Sequence, residues 1–253
     1  MMGRIRSLSR FPVKGMTAEP LDAVELVAGQ GIRGDRRWGF AQPDSGFDPA
    51  DPKPLPKDRF VVLLREAGLA RLQTRLEGDT LTIRDGDAEG HFELEDPEAR
   101  GAAADFLRTR LGLAETPTLV RSDPHRFTDV SVVSPELMNA VSILSQDSVA
   151  ALGSAVGADI DPRRFRMNVE IEGWPAWAEL DAVGREITLG TARLRILLRT
   201  RRCAATEVNP ETAERDLPVP RLLHKAVGHV DMGVYAEVLE GGTIRVGESA
   251  ELL

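Results

Sequence analysis

A single cysteine, Cys203, among 253 residues excludes an intrachain disulfide framework, a cysteine-rich zinc site and an all-cysteine iron–sulfur centre. The four histidines, His91, His125, His224 and His229, show no HExxH-type spacing, so a histidine-based metal site has no support. GxGxxG and Walker A patterns are absent, which removes the dinucleotide and nucleoside-triphosphate readings. No run approaches the roughly 20 apolar residues of a membrane span. The opening MMGRIRSLSRFPVKG lacks the apolar core of a secretory signal, and Met2-Gly3 is a poor match to a myristoylation signal. An excess of basic charge is missing too. The formal net charge of −8 argues against a nucleic-acid or anionic-membrane partner, though not against a local cationic pocket. No internal repeat or low-complexity tract stands out. What remains is a soluble globular protein of a reducing, cytoplasmic compartment, long enough for one large domain or two modest ones.

The pattern that is present is mainly β with peripheral helices. Strands are expected over Arg4 to Phe11, Leu21 to Leu26 and around Trp38 to Ala41, separated by glycine-punctuated turns. The Pro- and Asp-rich stretch Asp44 to Asp58 reads as a long loop, either a lid or a flexible excursion. Arg59 to Leu64 reads as an apolar strand, and Arg65 to Leu76 has helical spacing of Leu69, Leu72 and Leu76. A strand over Thr80 to Arg84 follows. The stretch from Pro97 to Leu111 reads as a helix, with Pro near its start and Gly112 past its end. A boundary near Pro117 gives domains 1–117 and 118–253, with no linker in the composition between them. Thr118 to Arg121 is a strand, and a helix starts at Ser145, with Ser145 as its cap. Hydroxyls and Asn139 cluster before that helix start, which suits a phosphate tail as well as ordinary capping. Pro218 to His229 is a short helix, and two strands flank Gly241-Gly242.

The stretch that organises the chain is LRILLRTRRCAATEVNP, Leu194 to Pro210. Its alternation puts Leu194, Ile196 and Leu198 on one face of a strand and Arg193, Arg195 and Arg199 on the other. If the pleat continues, Cys203 falls on the arginine side, whereas a bulge at Thr200 reverses this. A thiol beside Arg199, Arg201 and Arg202 has its thiolate favoured, and the thiolate is the nucleophile or metal ligand. Lone cysteines are usually small buried hydrophobes, and spacing alone leaves both readings open.

Three matches resemble the MOSC family, the molybdenum-cofactor sulfurase C-terminal domains. The cysteine segment has the family's Arg-Cys-x-x-Thr and Asn-Pro at Arg202, Cys203, Thr206, Asn209 and Pro210. FPVKG followed by GDRRW resembles the N-terminal domain that precedes MOSC in the amidoxime-reducing branch. RFRMNV resembles a Phe-Arg-x-Asn motif. The resemblance implies an N-terminal β-barrel-like domain packed on a MOSC-type β-barrel domain. It also implies that Lys14, Arg36, Arg166, Asn168, Cys203 and Thr206 contact the cofactor, with Cys203 on the metal. Arg166 and Asn168, two apart, would share one face of a strand. The family serine after the lysine is Gly15 here. The family Thr-Ser pair that binds phosphate falls on Met138 and Asn139, leaving Asn139 or Ser142 as candidates.

The implied cofactor is molybdopterin, with Cys203 as a soft extra ligand to molybdenum and the cations as donors to its phosphate. The implied activity is reduction of a small N-hydroxylated or N-oxide substrate, with electrons from an external ferredoxin-like or flavin reductase. Glu179, Asp181 or a histidine is the candidate proton source. Pyridoxal phosphate binding is an association of the domain family only. The main rival is a carrier of the cofactor, or of persulfide sulfur on Cys203. A third reading is a cysteine-nucleophile hydrolase with His224 or His229 as base.

Overall fold

The computed structural model describes residues 1–253, with side chains described for all but residues 135 and 136. At its centre seven strands close into a barrel. In ladder order they are Val169–Glu172, Val141–Ser145, Asp231–Glu240, Ala192–Arg201, Glu186–Leu189, Ser249–Leu252 and Met2–Arg10, and the last returns to pair with the first. Val141–Ser145 and Val169–Glu172 run parallel; the other barrel pairings are antiparallel. Inward-facing Ile5, Leu8, Ile143, Ile187, Leu194 and Val234 fill the interior, each almost wholly buried. Closure is what lets strands this short persist, because no barrel edge is left to pair elsewhere.

The barrel strand Met2–Arg10 comes from the first domain of the expected division at residue 117. Ala23–Val27 likewise pairs with Gly242–Arg245. These two sheets therefore draw strands from both sides of residue 117. The expected strand Leu21 to Leu26 is also two pieces: Glu19–Leu21 pairs with Met2–Arg10, and Ala23–Val27 turns to the other end of the chain.

Against the barrel lies a smaller layer, with Gln73–Glu77, Thr80–Asp85 and Ala88–Glu93 as a meander and Gly39–Ala41 paired with Thr118–Val120. The helix Pro97–Leu111 covers it, burying Ala103, Ala104 and Leu107. Its ends follow the sequence signals: the Asp96 side chain accepts from the Glu98 N–H at 2.9 Å, and Gly112 closes the helix at φ 67°.

Two expected elements fail. Phe60 to Leu63 is buried but forms no strand, pairing only through an Ala41–Phe60 bridge before a turn at Val62. Helical spacing over Arg65 to Leu76 yields only the 3-10 turn Ala67–Arg71. Gly68 weakens a helix there, and β-branched Thr74 joins a ladder opposite Ile83.

Candidate functional site

Between the barrel and the smaller layer lies a cavity of about 460 Å³, within the range of small-molecule sites. Both halves of the chain line it. Lys14, Arg36 and Lys57 come from the first half; Asp129, Arg166, Arg202 and Cys203 come from the second. For a chain of net charge −8, this is a concentrated reversal of sign.

Cys203 reaches the cavity by a route that alternation did not predict. The strand Ala192–Arg201 has register shifts between Arg193 and Leu194, Ile196 and Leu198, and Arg199 and Arg201. Leu194 and Ile196 stay in the core, while Leu198, Arg199 and Thr200 all line the cavity. The strand ends at Arg201, and Cys203 opens the 3-10 turn Ala204–Glu207. Thr206 locks that turn, its N–H and Oγ1 donating to the Cys203 carbonyl at 3.0 and 2.8 Å. The sulfur is half-buried and faces the cavity.

Lys14 is 5% exposed, donates to the Phe127 carbonyl at 3.0 Å and pairs with Asp129. Burial lowers its pKa, and Asp129 resists that. Burial pushes the Asp129 carboxyl up, but Lys14, with Lys57 and Arg36, outweighs it and holds it at about 2. Arg36 sits at φ 49° with its guanidinium 4.5 Å from the Phe11 ring. It donates to Asp35 at 2.5 Å and to the Arg166 carbonyl at 3.2 Å.

Arg166 is different. Its guanidinium lies 4.6 Å from the centroid of the same Phe11 ring and makes no hydrogen bond or ion pair among the described residues. Burial, then Arg36 beside it, pushes its pKa down. Arg202 donates to the Phe165 carbonyl at 2.5 Å, but its Nε is buried without a partner, as is Thr200 Oγ1. Burial lowers the Arg202 pKa. Unsatisfied donors in a cationic cavity call for an acceptor-rich, anionic ligand.

Asn168 does not line the cavity. It follows the 3-10 turn Pro162–Phe165 and precedes the strand, with Arg166 left-handed at φ 54° between, so the shared-face argument from strand geometry fails. Asn168 is instead a buried bracket. Its Nδ2 donates to Asp35 at 3.0 Å and to the Ser9 carbonyl at 3.2 Å, and its Oδ1 accepts from Ser142 Oγ at 2.7 Å and from Arg36 at 3.3 Å. Ser142 lines the cavity with its hydroxyl committed to that bracket. Asn139 is absent from the lining: its Nδ2 donates to the Gly29 carbonyl at 3.0 Å on the surface.

The start of the helix Gln146–Val156 is not an anion site. The Ser145 hydroxyl makes no capping bond, and the fully buried Glu179 carboxylate accepts from Ser148 Oγ at 2.8 Å there. Burial raises the Glu179 pKa. Glu179 lies off the cavity, and Asp181 is exposed and paired with Arg199 at 3.1 Å. His224 is exposed, and His229 accepts from the Asp231 N–H at 3.2 Å; neither lines the cavity, so Cys203 has no histidine base.

Sequence reading missed Lys57, Asp129, Thr200 and Tyr235 as lining residues. A carboxylate inside the hydroxyl-rich stretch before residue 141 was the available signal for Asp129; Tyr235 offered none.

Among the described residues no cluster of three or more His, Cys, Asp or Glu could hold a metal ion. A metal at Cys203 would have to bring its own donors. That demand, with cationic walls and unpaired donors, fits a metal carried on an anionic organic ligand. No helix among the described residues is long and apolar enough to cross a membrane.

A family model described as the MOSC domain matches residues 123–251, and one described as the MOSC N-terminal beta barrel domain matches residues 2–117. Mitochondrial amidoxime-reducing component 1 of Homo sapiens is 24% identical over 298 residues, covering 100% of this chain and 83% of that protein. Among solved structures, the YuaD protein from Bacillus subtilis is 15% identical with a TM-score of 0.49, covering 100% of this chain and 96% of the other. YiiM from Geobacillus stearothermophilus is 18% identical with a TM-score of 0.35, covering 45% and 53%.

Proposed function

Because this chain belongs to the MOSC domain family, we propose that it binds a molybdenum–pterin cofactor beside Cys203 and reduces an N-oxygenated substrate. The observation that carries the reading is the pairing of a cavity-facing thiol with cationic walls where no other metal donors gather. Cys203 would ligate the metal, and the uncommitted Arg166 and Arg202 donors would hold the anionic parts of the pterin and its phosphate. Arg36, steadied by Asp35 and Asn168, would contribute a fixed positive charge. The cofactor supplies the two-electron, oxygen-accepting chemistry. The net reaction takes an N–OH group, two electrons and two protons to N–H and water. The likeness to an amidoxime-reducing component supports this substrate class, and the electrons would come from an external ferredoxin-like or flavin reductase.

Protein made in a cofactor-competent host tests this directly, wild type beside Cys203→Ser. Near-stoichiometric molybdenum and pterin in wild type, with molybdenum falling sharply in the variant, is the expected result. No molybdenum or pterin in either would sink the reading. The half-exposed sulfur favours one alternative, a carrier of cofactor or persulfide. Steady turnover of an amidoxime with an artificial reductant selects the enzyme; tight binding without turnover selects the carrier.

A further inference from the structure

The segment from Pro43 to Asp58 contains no strand, yet it is fastened at its middle. The Phe47 ring packs 5.1 Å from Phe127, 5.8 Å from His125 and 6.1 Å from Phe60, centroid to centroid. Ser122 Oγ donates to the Pro49 carbonyl at 2.6 Å. From these anchors the chain runs to the 3-10 turn Lys57–Arg59, which sets Lys57 at the cavity beside Cys203.

The neighbouring charges of this segment are spoken for. Lys53 pairs with Asp51 at 2.7 Å, Arg59 with Asp44 at 3.7 Å, and Asp58 with Arg65 at 3.4 Å. Lys57 is half-buried, and no ion pair holds it among the described residues. Burial works against this ammonium, and the anionic groups acting on it are Cys203 and Asp129; Asp129 is itself paired with Lys14, which leaves Lys57 free to meet an anion bound at the sulfur. On its flexible stem Lys57 can follow an anion that the more constrained arginines cannot.

We propose that this loop belongs to the binding apparatus, and that Lys57 is an anion-contacting residue directed at the anionic end of the group bound by Cys203. Phe47 is the positioning residue that holds the loop in place. The identity of that group rests on the function proposed above; the charge delivered to Cys203 is testable without it.

In cofactor-free protein Cys203 is the only thiol, so its alkylation by anionic iodoacetate and by neutral iodoacetamide can be compared directly. The ratio of the two rates cancels the thiolate fraction and reads the field at the sulfur. Lys57→Gln should lower the ratio about three- to tenfold, as expected for removing one nearby charge, and Lys57→Arg should keep it high. Lys53→Gln, at an exposed lysine, should leave it unchanged. Phe47→Ala, which touches the aromatic cluster and not the cavity, should reproduce most of the loss. A wild-type ratio in Lys57→Gln overturns the role of Lys57, and a wild-type ratio in Phe47→Ala overturns that of Phe47. Protein from a competent host without molybdenum would sink the proposed function and leave the ratio standing.

Discussion

Lys14 and Asp129 form an ion pair across the two halves of the chain in which the lysine is buried while half of the carboxylate side chain stands open. The pair is thus both a structural tie and a wall of the cavity. Its asymmetry decides how the protein should respond to acid.

The Asp129 pKa of about 2 lies below the ordinary carboxylate value near 4. The folded state therefore favours the ionised form. The associated stability is complete above pH ~4 and lost as pH falls towards 2, about 1 kcal/mol once solvent screening of the open side chain is allowed for. Urea denaturation at several pH values should show that loss in wild type and its absence in Asp129→Asn. The variant should also be weaker at pH 7 by about 1–3 kcal/mol, because Lys14 is left buried without its partner.

Arg166 should behave in the opposite sense. Its guanidinium has no protein partner and sits against the charge of Arg36. Arg166→Met keeps apolar packing on Phe11 and removes the repulsion. Cofactor-free protein should melt no lower than wild type, with a gain of up to about 1 kcal/mol. The molybdenum-to-protein ratio after purification should fall about tenfold. A strongly destabilised cofactor-free variant would show that Arg166 is structural.

Gly15 occupies the place where the family serine follows the lysine, and the backbone explains why. It sits at φ 82°, and a Cβ there would lie 2.6 Å from the Val61 carbonyl oxygen and 3.0 Å from Val62 Cα. Both neighbours are backbone. Gly15→Ser should cost about 2–4 kcal/mol in chemical denaturation rather than restore a family contact.

Asn168→Ala should be costly without touching the cavity. It removes an acceptor from Ser142 Oγ, a donor from Asp35 and one acceptor from Arg36 at once, in a site where Asn168 is 1% exposed. A loss of about 2–4 kcal/mol is expected. If stability is kept and only cofactor retention falls, Asn168 is a ligand contact and the bracket is incidental.

Legibility in the sequence followed locality. The helix Pro97–Leu111 was readable because cap, proline and terminal glycine lie within its own span. Residues 60–76 were misread because their apolar spacing reflects burial against several surfaces at once, which mimics strand and helix periods alike. Cys203 could be singled out from its motif, but the parity that was to aim it was broken by three register shifts. Asp129, Lys57 and Tyr235 meet Cys203 only after the chain has closed on itself. No window of neighbouring residues contains that information.

The first strand makes closure a matter of timing. Met2–Arg10 is synthesised before any of its barrel partners, whose nearest, Val169–Glu172, lies some 160 residues downstream, and whose other, Ser249–Leu252, lies further still. Until then the strand has an unsatisfied edge and a greasy face, the combination that slows folding and invites misassociation. Residues 118–253 expressed alone would face the complementary deficit, six staves of a seven-stave cask. A pocket assembled this way cannot exist until all seven strands are present, so any ligand it takes must wait for closure.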